Sequence, residues 1–369
     1  MDESAYRLTC HQLFLPNQRT LKALEYFGSA TALMKGSTES LSRFFRDKDL
    51  RRIQHWQSTA VDDQTTQAVM LNQHLANAGA NHICILDSAY PPLLREIPDS
   101  PAFLFVRGDI SNLSRPQIAI VGSRKMTPLG GKTAREFARK LGQAGMGITS
   151  GMALGIDSSA HKGALDAGAT TIAVLGTGID SCYPRSNFEL QQQILTSGGV
   201  LVSEYPFGIA PLPSNFPRRN RIITGLSMAA LVVEASEKSG SLVSARLAAE
   251  QGREVFVVPG SINSPASSGC HQLIRDGATL VTEPAQVLEN INPMLDIALR
   301  ENCDQLSAVC GQSMPNHHWL LEALGSECLS VDDLCDRCDK PPQDVAAAIT
   351  ELELDGLISA SAFGYQRIQ

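Results

Sequence analysis

The sequence predicts an α/β protein: a mostly parallel sheet with helices on both faces, flanked by a small helical N-terminal domain and a C-terminal winged-helix domain. Three observations predict it. Through the middle of the 369 residues, short apolar runs alternate with helical patterns, as a parallel sheet covered on both sides requires. The N-terminal stretch instead places apolar residues three and four apart. The C-terminal stretch outlines three helices and a hairpin.

Taken in order, helical patterns run over Arg19–Phe27, Glu39–Phe45 and Gln64–Ala78. Residues 83–107 read as extended and proline-broken, at Tyr90-Pro91-Pro92, Pro98 and Pro101. Buried strands are expected at Ile118–Val121, Gly147–Thr149, Thr171–Leu175, Val200–Val202, Ala229–Val233 and Glu254–Val258. Helices are expected between them, near 130–144, 157–167, 187–197, 219–227 and 241–251. In the tail, Pro342–Leu354 is the third helix, Asp355-Gly356 stops it, and Leu357–Ile358 with Tyr365–Ile368 form a wing. The expected division is 1–80 helical, 81–291 sheet, 292–316 linker and 317–369 winged helix.

A hydrophobic content of 43% and a charged content of 19% suit a globular, water-soluble chain. No apolar run is long enough for a membrane span, and the acidic start lacks a secretion signal, so the cytoplasm is the expected location. The nine scattered cysteines form no disulfide framework. Cys335 and Cys338 have metal-like spacing, but no second such pair follows, so no metal or other cofactor is expected. The net charge of −7 is uneven. Residues 292–369 carry 4 basic and 13 acidic side chains, whereas residues 107–291 carry 17 basic and 14 acidic. A polyanion is therefore expected on the middle, not on the tail.

Ligands of parallel sheets bind beyond the carboxyl ends of the strands, where the unusual residues of this chain fall. Gly122-Ser123-Arg124 follows the first of the six strands, and Ser150-Gly151 through Asp157 and His161 follows the second. Gly176 to Asp180 and then Tyr183-Pro184-Arg185 follow the third. Ser203-Glu204-Tyr205-Pro206 precedes a helix bearing Phe216, Arg218, Arg219, Asn220 and Arg221. Glu234 through Gly240-Ser241 follows the fifth strand, and Pro259-Gly260 the sixth. Each is by itself an ordinary turn with a surface cation, and Asp157 with His161 reads as a helix cap and a core histidine. Together they suit phosphates and sugars: small residues admit close backbone approach, guanidiniums offer paired donors, and Tyr183 offers a stacking face.

With these motifs in order, the run from Ile118 to about Ile291 resembles the DprA/Smf family of DNA-processing proteins. The resemblance rests on Val121-Gly122-Ser123-Arg124, Ser150-Gly151…Gly155-Ile156-Asp157, Tyr183-Pro184, Phe216-Pro217-Arg218-Arg219-Asn220-Arg221 through Ser227, Ser239-Gly240-Ser241-Leu242 and Val258-Pro259-Gly260. It implies an extended Rossmann-like domain, single-stranded DNA as ligand, loading of RecA recombinase during natural transformation or recombination, and a homodimer. It also implies that Arg124 is a pocket residue and that Arg185, Arg218, Arg219 and Arg221 face the strand, with the amides of Gly122, Ser123, Gly240 and Ser241 assisting beside Gly151. The chain departs from the family pattern at His271, where Asn is frequent, and at Leu15-Pro16-Asn17-Gln18-Arg19, where a glycine-bearing hairpin is frequent. Its acidic winged helix suits a protein partner better than a DNA groove.

The expectation is thus a DNA-binding protein rather than an enzyme. The alternatives are a phosphoribohydrolase-like enzyme and a metal-dependent nuclease using Asp157, Asp180 and Glu204. The first requires a Pro-Gly-Gly-x-Gly-Thr loop, and Ser236 to Ser241 does not supply it. The nuclease's acids follow three separate strands. A transcription factor acting through the winged helix is a third reading, which the tail's acidity disfavours.

Overall fold

The computed structural model describes residues 1–291, 318–324, 329–338, 340–354, 358–361 and 364–367. The chain forms two compact units, Met1–Pro293 and Met294–Gln369. The linker expected at 292–316 and the stop at Asp355-Gly356 lie outside the described residues.

The first unit begins with helices α1 (Glu3–Gln12), α2 (Asn17–Phe27), α3 (Ala30–Met34), α4 (Thr38–Ser42), α5 (Asp47–Ser58) and α6 (Val61–Asn77). Asp2 caps α1 by accepting from the Ala5 amide at 2.9 Å. Gly28 ends α2 in the left-handed region, at φ +72, where a Cβ is strained. Leu24, Leu33, Leu41, Ile53 and Trp56 pack with Phe103, whose strand belongs to the sheet. The helices therefore share a core with the sheet edge. Asn17 reinforces that contact, donating to Asp99 and Ser100 and accepting from the Ala102 amide at 2.8 Å.

The sheet is built from β1 (Ala80–Cys84), β2 (Phe103–Arg107), β3 (Gln117–Gly122), β4 (Gly147–Ser150), β5 (Thr171–Gly178), β6 (Val200–Tyr205), β7 (Ala229–Val233), β8 (Glu254–Val257) and β9 (Thr279–Leu280). Their order is β1-β2-β6-β5-β4-β3-β7-β8-β9. Antiparallel pairing joins β1 to β2 and β2 to β6; every other neighbouring pair is parallel. The helices are α7 (Pro92–Arg95), α8 (Pro128–Gln143), α9 (Ile156–Asp166), α10 (Phe188–Thr196), α11 (Asn215–Gly225), α12 (Gly240–Glu250) and α13 (Ser268–Arg275). All six expected strands are present. Three further strands were not expected: β2 at the end of the extended stretch, β1 at its beginning and mostly ahead of it, and β9 after the sixth.

From β3 the chain winds outward through β4 and β5 to β6. It then returns along α11 to the other side of β3, where β7 and β8 follow. The strand order reverses between β3 and β7, and there the crevice of such a sheet lies. α11, which carries the arginine cluster, is the returning crossover.

The second unit contains helices His318–Leu324, Val331–Cys338 and Pro342–Leu354 and an antiparallel pair, Ile358–Ser361 with Gly364–Arg367. Leu320, Leu324, Leu334, Val345, Ile349 and Ile358 form its core. This is the winged-helix outline expected from the sequence. Among the described residues, no helix is long and apolar enough to cross a membrane.

Candidate nucleic-acid interface

A cavity of about 700 Å³ opens at the β3–β7 crevice. Its walls are Gly122 to Lys125 after β3, Ala153 and Asp157 before and on α9, Tyr183, and Phe216, Arg219 and Asn220 of α11. Ser236 to Ser244, around the start of α12, closes the far side. Two backbone features fix this geometry. The Ser123 amide donates to the Glu234 carbonyl across the strand reversal at 2.8 Å. Gly122 leaves no room for a Cβ, which would lie 2.0 Å from the Val233 carbonyl.

Phe216 is the centre of the cleft. The Arg124 guanidinium sits 5.3 Å from its ring centre, and the Arg219 guanidinium 5.9 Å. The Tyr183 ring lies 5.4 Å away. Gly176 permits this, since a Cβ there would approach Phe216 to 2.9 Å. The result is an aromatic face flanked by cations, an arrangement that accepts a flat ring on one side and phosphates at the rim. Arg124 and Lys125 are exposed. Lys125 was not among the expected contacts, although its place beside Arg124 in a basic pair was a usable signal.

Arg219 is buried. It donates through one Nη to the Gly151 carbonyl at 2.6 Å and to the Val174 carbonyl, and through Nε to Asn220 at 3.2 Å. It thereby ties the end of β4 to the middle of β5 while lining the cleft. A Cβ at Gly151 would strike its guanidinium at 2.6 Å, which accounts for the glycine. Burial draws Arg219 down to about 10, Asp157 opposes that, and the group stays protonated at neutral pH. Asp157 is raised by burial, against the pull of Arg219. Its carboxylate accepts from the Gly151 and Ala153 amides at 3.1 and 3.3 Å.

The other two arginines of the cluster do not join this cleft. Residues 218 and 221 are three apart on a helix and so share a face, turned away from the side that carries 219. Arg221 is buried. It donates to Glu204 at 2.6 Å and to Asp99 at 2.8 Å. Arg218 is part-exposed and lies 3.5 Å from the same Glu204 oxygen. The expectation that Arg221 faces a DNA strand is therefore corrected: its charge is matched inside the protein. Burial disfavours its charged form, but Glu204 and Asp99 outweigh that and raise its pKa. Arg185 is exposed directly after Pro184 and does not line the cleft, although Tyr183 two residues before it does.

Two of the expected amides are engaged. Besides Ser123, the Ser241 amide donates to Ser239 Oγ at 3.2 Å, an N-cap of α12. Gly240 has open space at its Cβ position. The side-chain donors left in the cleft are guanidinium, ammonium and hydroxyl groups.

The carboxylates weighed as catalytic occupy separate networks. Asp157 holds its own loop, Asp180 accepts from the Gly208 amide at 3.1 Å, and Glu204 pairs with arginine. Glu234, at φ +57, accepts from the Thr127 amide at 2.8 Å and from the Thr127 hydroxyl, holding the start of α8. His161 is buried with Nδ1 at 2.7 Å from the Thr171 hydroxyl, as the core reading expected. His271 places Nε2 at 3.0 Å from the Gly260 carbonyl. Among the described residues, no three His, Cys, Asp or Glu side chains converge as metal ligands.

Comparison with known proteins follows the same outline. The family described as DNA recombination-mediator protein A matches residues 81–292, and the DprA winged helix domain matches residues 312–362. Protein Smf of Escherichia coli is 45% identical over 78% of this chain and 78% of its own length. The DNA processing protein DprA of Streptococcus pneumoniae is 46% identical over 55% of this chain and 72% of its own. The X-ray structure of DprA from Streptococcus pneumoniae superposes with a TM-score of 0.66 at 37% identity, over 78% of this chain and 98% of that one. A Helicobacter pylori DprA structure, described for its single-stranded DNA binding mode, gives 0.53 at 30% identity, over 58% of this chain and 96% of that one.

Proposed function

The chain belongs to the DprA/Smf family of DNA-processing proteins, and on that premise we propose that it binds single-stranded DNA in the β3–β7 cleft and loads a RecA-type recombinase onto the strand. The observation that carries the reading is Phe216 flanked by Arg124 and Arg219 with Tyr183 alongside. Only an unpaired base has a free face to lay on such rings, so the site selects single strands over duplexes. Arg124 and Lys125 then take the flanking phosphates, and Arg219 supplies a fixed positive field from beneath. Arg185 and Arg218, exposed elsewhere, extend the contact along the strand.

The single-stranded DNA described for the Helicobacter pylori relative supports the ligand, and the description recombination-mediator supports a recombinase as partner. We assign the acidic winged helix to a protein contact, because its charge repels phosphate. We also read the protein as a homodimer through the sheet edge near β7 and β8. The carboxylates of the cleft hold loops and cations, which favours binding over turnover.

The test is fluorescence anisotropy of a labelled oligothymidylate and of a duplex, over a potassium chloride series, with and without RecA. Tighter binding of the single strand, and its loss in Arg124→Glu, is expected. Equal affinity for both forms, or an unaffected Arg124→Glu, refutes the cleft.

A further inference from the structure

The N-terminal helices carry a second basic site. Residues 17–52 hold eight Lys and Arg side chains against four Asp and Glu, within a segment (residues 1–106) that is otherwise slightly acidic. Four of these cations, Arg19 and Lys22 of α2 with Arg43 and Arg46 between α4 and α5, surround one cavity of about 370 Å³. Phe45, 3% exposed, anchors the loop in the core beneath, so the cavity has a rigid floor rather than mobile side chains alone.

Three observations point to a phosphate-bearing ligand. First, the acids of this stretch leave the cavity positive. Asp49 is buried and lies 3.7 Å from Arg19, which accounts for one cation, while Glu25, Glu39 and Asp47 do not line the cavity. Second, Arg46 is the N-cap residue of α5 and its side chain makes no cap bond, so its guanidinium is not spent on the helix start, whose dipole Asp47 and Asp49 in the first turn already offset. Third, an aromatic surface adjoins it. Tyr26 is 56% exposed, and the Arg43 guanidinium leans over its ring at 5.9 Å and donates to its hydroxyl at 3.4 Å. Phe44, which lines the cavity, backs Tyr26 at 5.3 Å. Cations beside an exposed ring recur where a protein tracks an unpaired strand. A protein partner of acidic character would need no ring.

We propose that the Arg19–Lys22–Arg43–Arg46 cavity is a second phosphate site for single-stranded DNA, engaging the strand beyond the part held in the β3–β7 cleft. It acts through side chains, where a glycine hairpin would act through backbone amides. It rests on the reading that this chain takes single-stranded DNA, but on none of the cleft's residues.

The test uses the full chain and a long fluorescein-labelled oligothymidylate, with affinity measured across potassium chloride concentrations. Three variants are compared: R43Q/R46Q, R43K/R46K and R124Q. Both arginines are exposed, so the fold should tolerate either pair, and thermal melting verifies that. R43Q/R46Q should flatten the slope of log affinity against log salt by about 1.4, two phosphates at about 0.7 each. R43K/R46K, which keeps the charges, should leave it unchanged. A slope in R43Q/R46Q equal to the parent's overturns the second site. An equal loss in R43K/R46K overturns it too, since charge would then not be the cause. R124Q reports on the cleft separately: an unchanged slope there, with a loss in R43Q/R46Q, removes the cleft reading and keeps this one.

Discussion

Arg221 Nη2 lies 2.6 Å from Glu204 Oε1, and each side chain is less than a tenth exposed. The pair joins the returning helix α11 to the end of β6, and Asp99 completes it from the loop before β2. A buried pair of this kind contributes little net stability as a pair, but removing one partner strands the other charge. Here Asp99 still neutralises Arg221 when Glu204 is removed, so Glu204→Ala should lower unfolding free energy by about 1–3 kcal/mol, the cost of the donor left unsatisfied. Urea denaturation measures this. DNA affinity of the folded fraction should change far less than in an Arg124 variant. A loss of stability under 1 kcal/mol would mean that the pair is solvated.

The aromatic centre of the cleft should carry base contact. Phe216→Ala removes a stacking surface worth about 1–3 kcal/mol per base, which is about a 5- to 150-fold rise in dissociation constant. Phe216→Tyr should retain most of the affinity. Anisotropy on one oligothymidylate at fixed salt decides this. Equal binding by the alanine variant would place the bases elsewhere.

Three histidines set an acid limit on stability. His11 is held down to about 4, chiefly by burial, with the Glu204 carbonyl at 2.7 Å opposing that. His161 is held down to about 3 by burial and by Arg219. His82, 3.0 Å from His11, is also lowered by burial and by that neighbour. Each binds its proton more readily unfolded, where a histidine has a pKa of about 6.5. Stability is therefore complete above about 6.5 and falls as pH drops toward 4, by about 1.4 kcal/mol per pH unit for each histidine. Urea midpoints at stepped pH should show this decline, and His161→Gln should flatten it by one proton. An unchanged slope in that variant would count against the burial argument.

Gly122 sits where β3 leaves the sheet, against the Val233 carbonyl and Ile156. Gly122→Ala adds a methyl group between two backbones that are hydrogen-bonded across the strand reversal. Overpacking of this kind costs about 1–3 kcal/mol, and the walls of the cleft must part. Both melting temperature and DNA affinity should fall. Gly240→Ala, with open space around it, should lose neither through crowding. A Gly122→Ala protein as stable as the parent would show that the junction yields.

The sequence revealed six of the parallel strands because they are buried and mostly apolar, as Ala229–Val233 is, whereas β9, two residues long and not buried, escaped. β1 escaped because Asn81 and His82 break that run, and β2 because it sits among prolines. Arg124, Tyr183 and Phe216 were legible as residue types placed after strand ends. The division of labour within Arg218, Arg219 and Arg221 was not. The acids that claim Arg221 come from positions 99 and 204, and sequence neighbourhood carries no information about them. The sequence reading placed all three on the strand, and the acids that turn Arg221 inward were not visible in it.

Arg219 changes what kind of grip the cleft has. A lysine or arginine waving from the surface trades its counterions for phosphate, and concentrated salt reverses the trade. Arg219 is clamped by two carbonyls under the cleft floor, where mobile ions reach it poorly and its attraction is less screened. A nucleotide over Phe216 should thus outlast, in brine, the contacts further along the strand, leaving one anchored point from which the rest can peel and reattach.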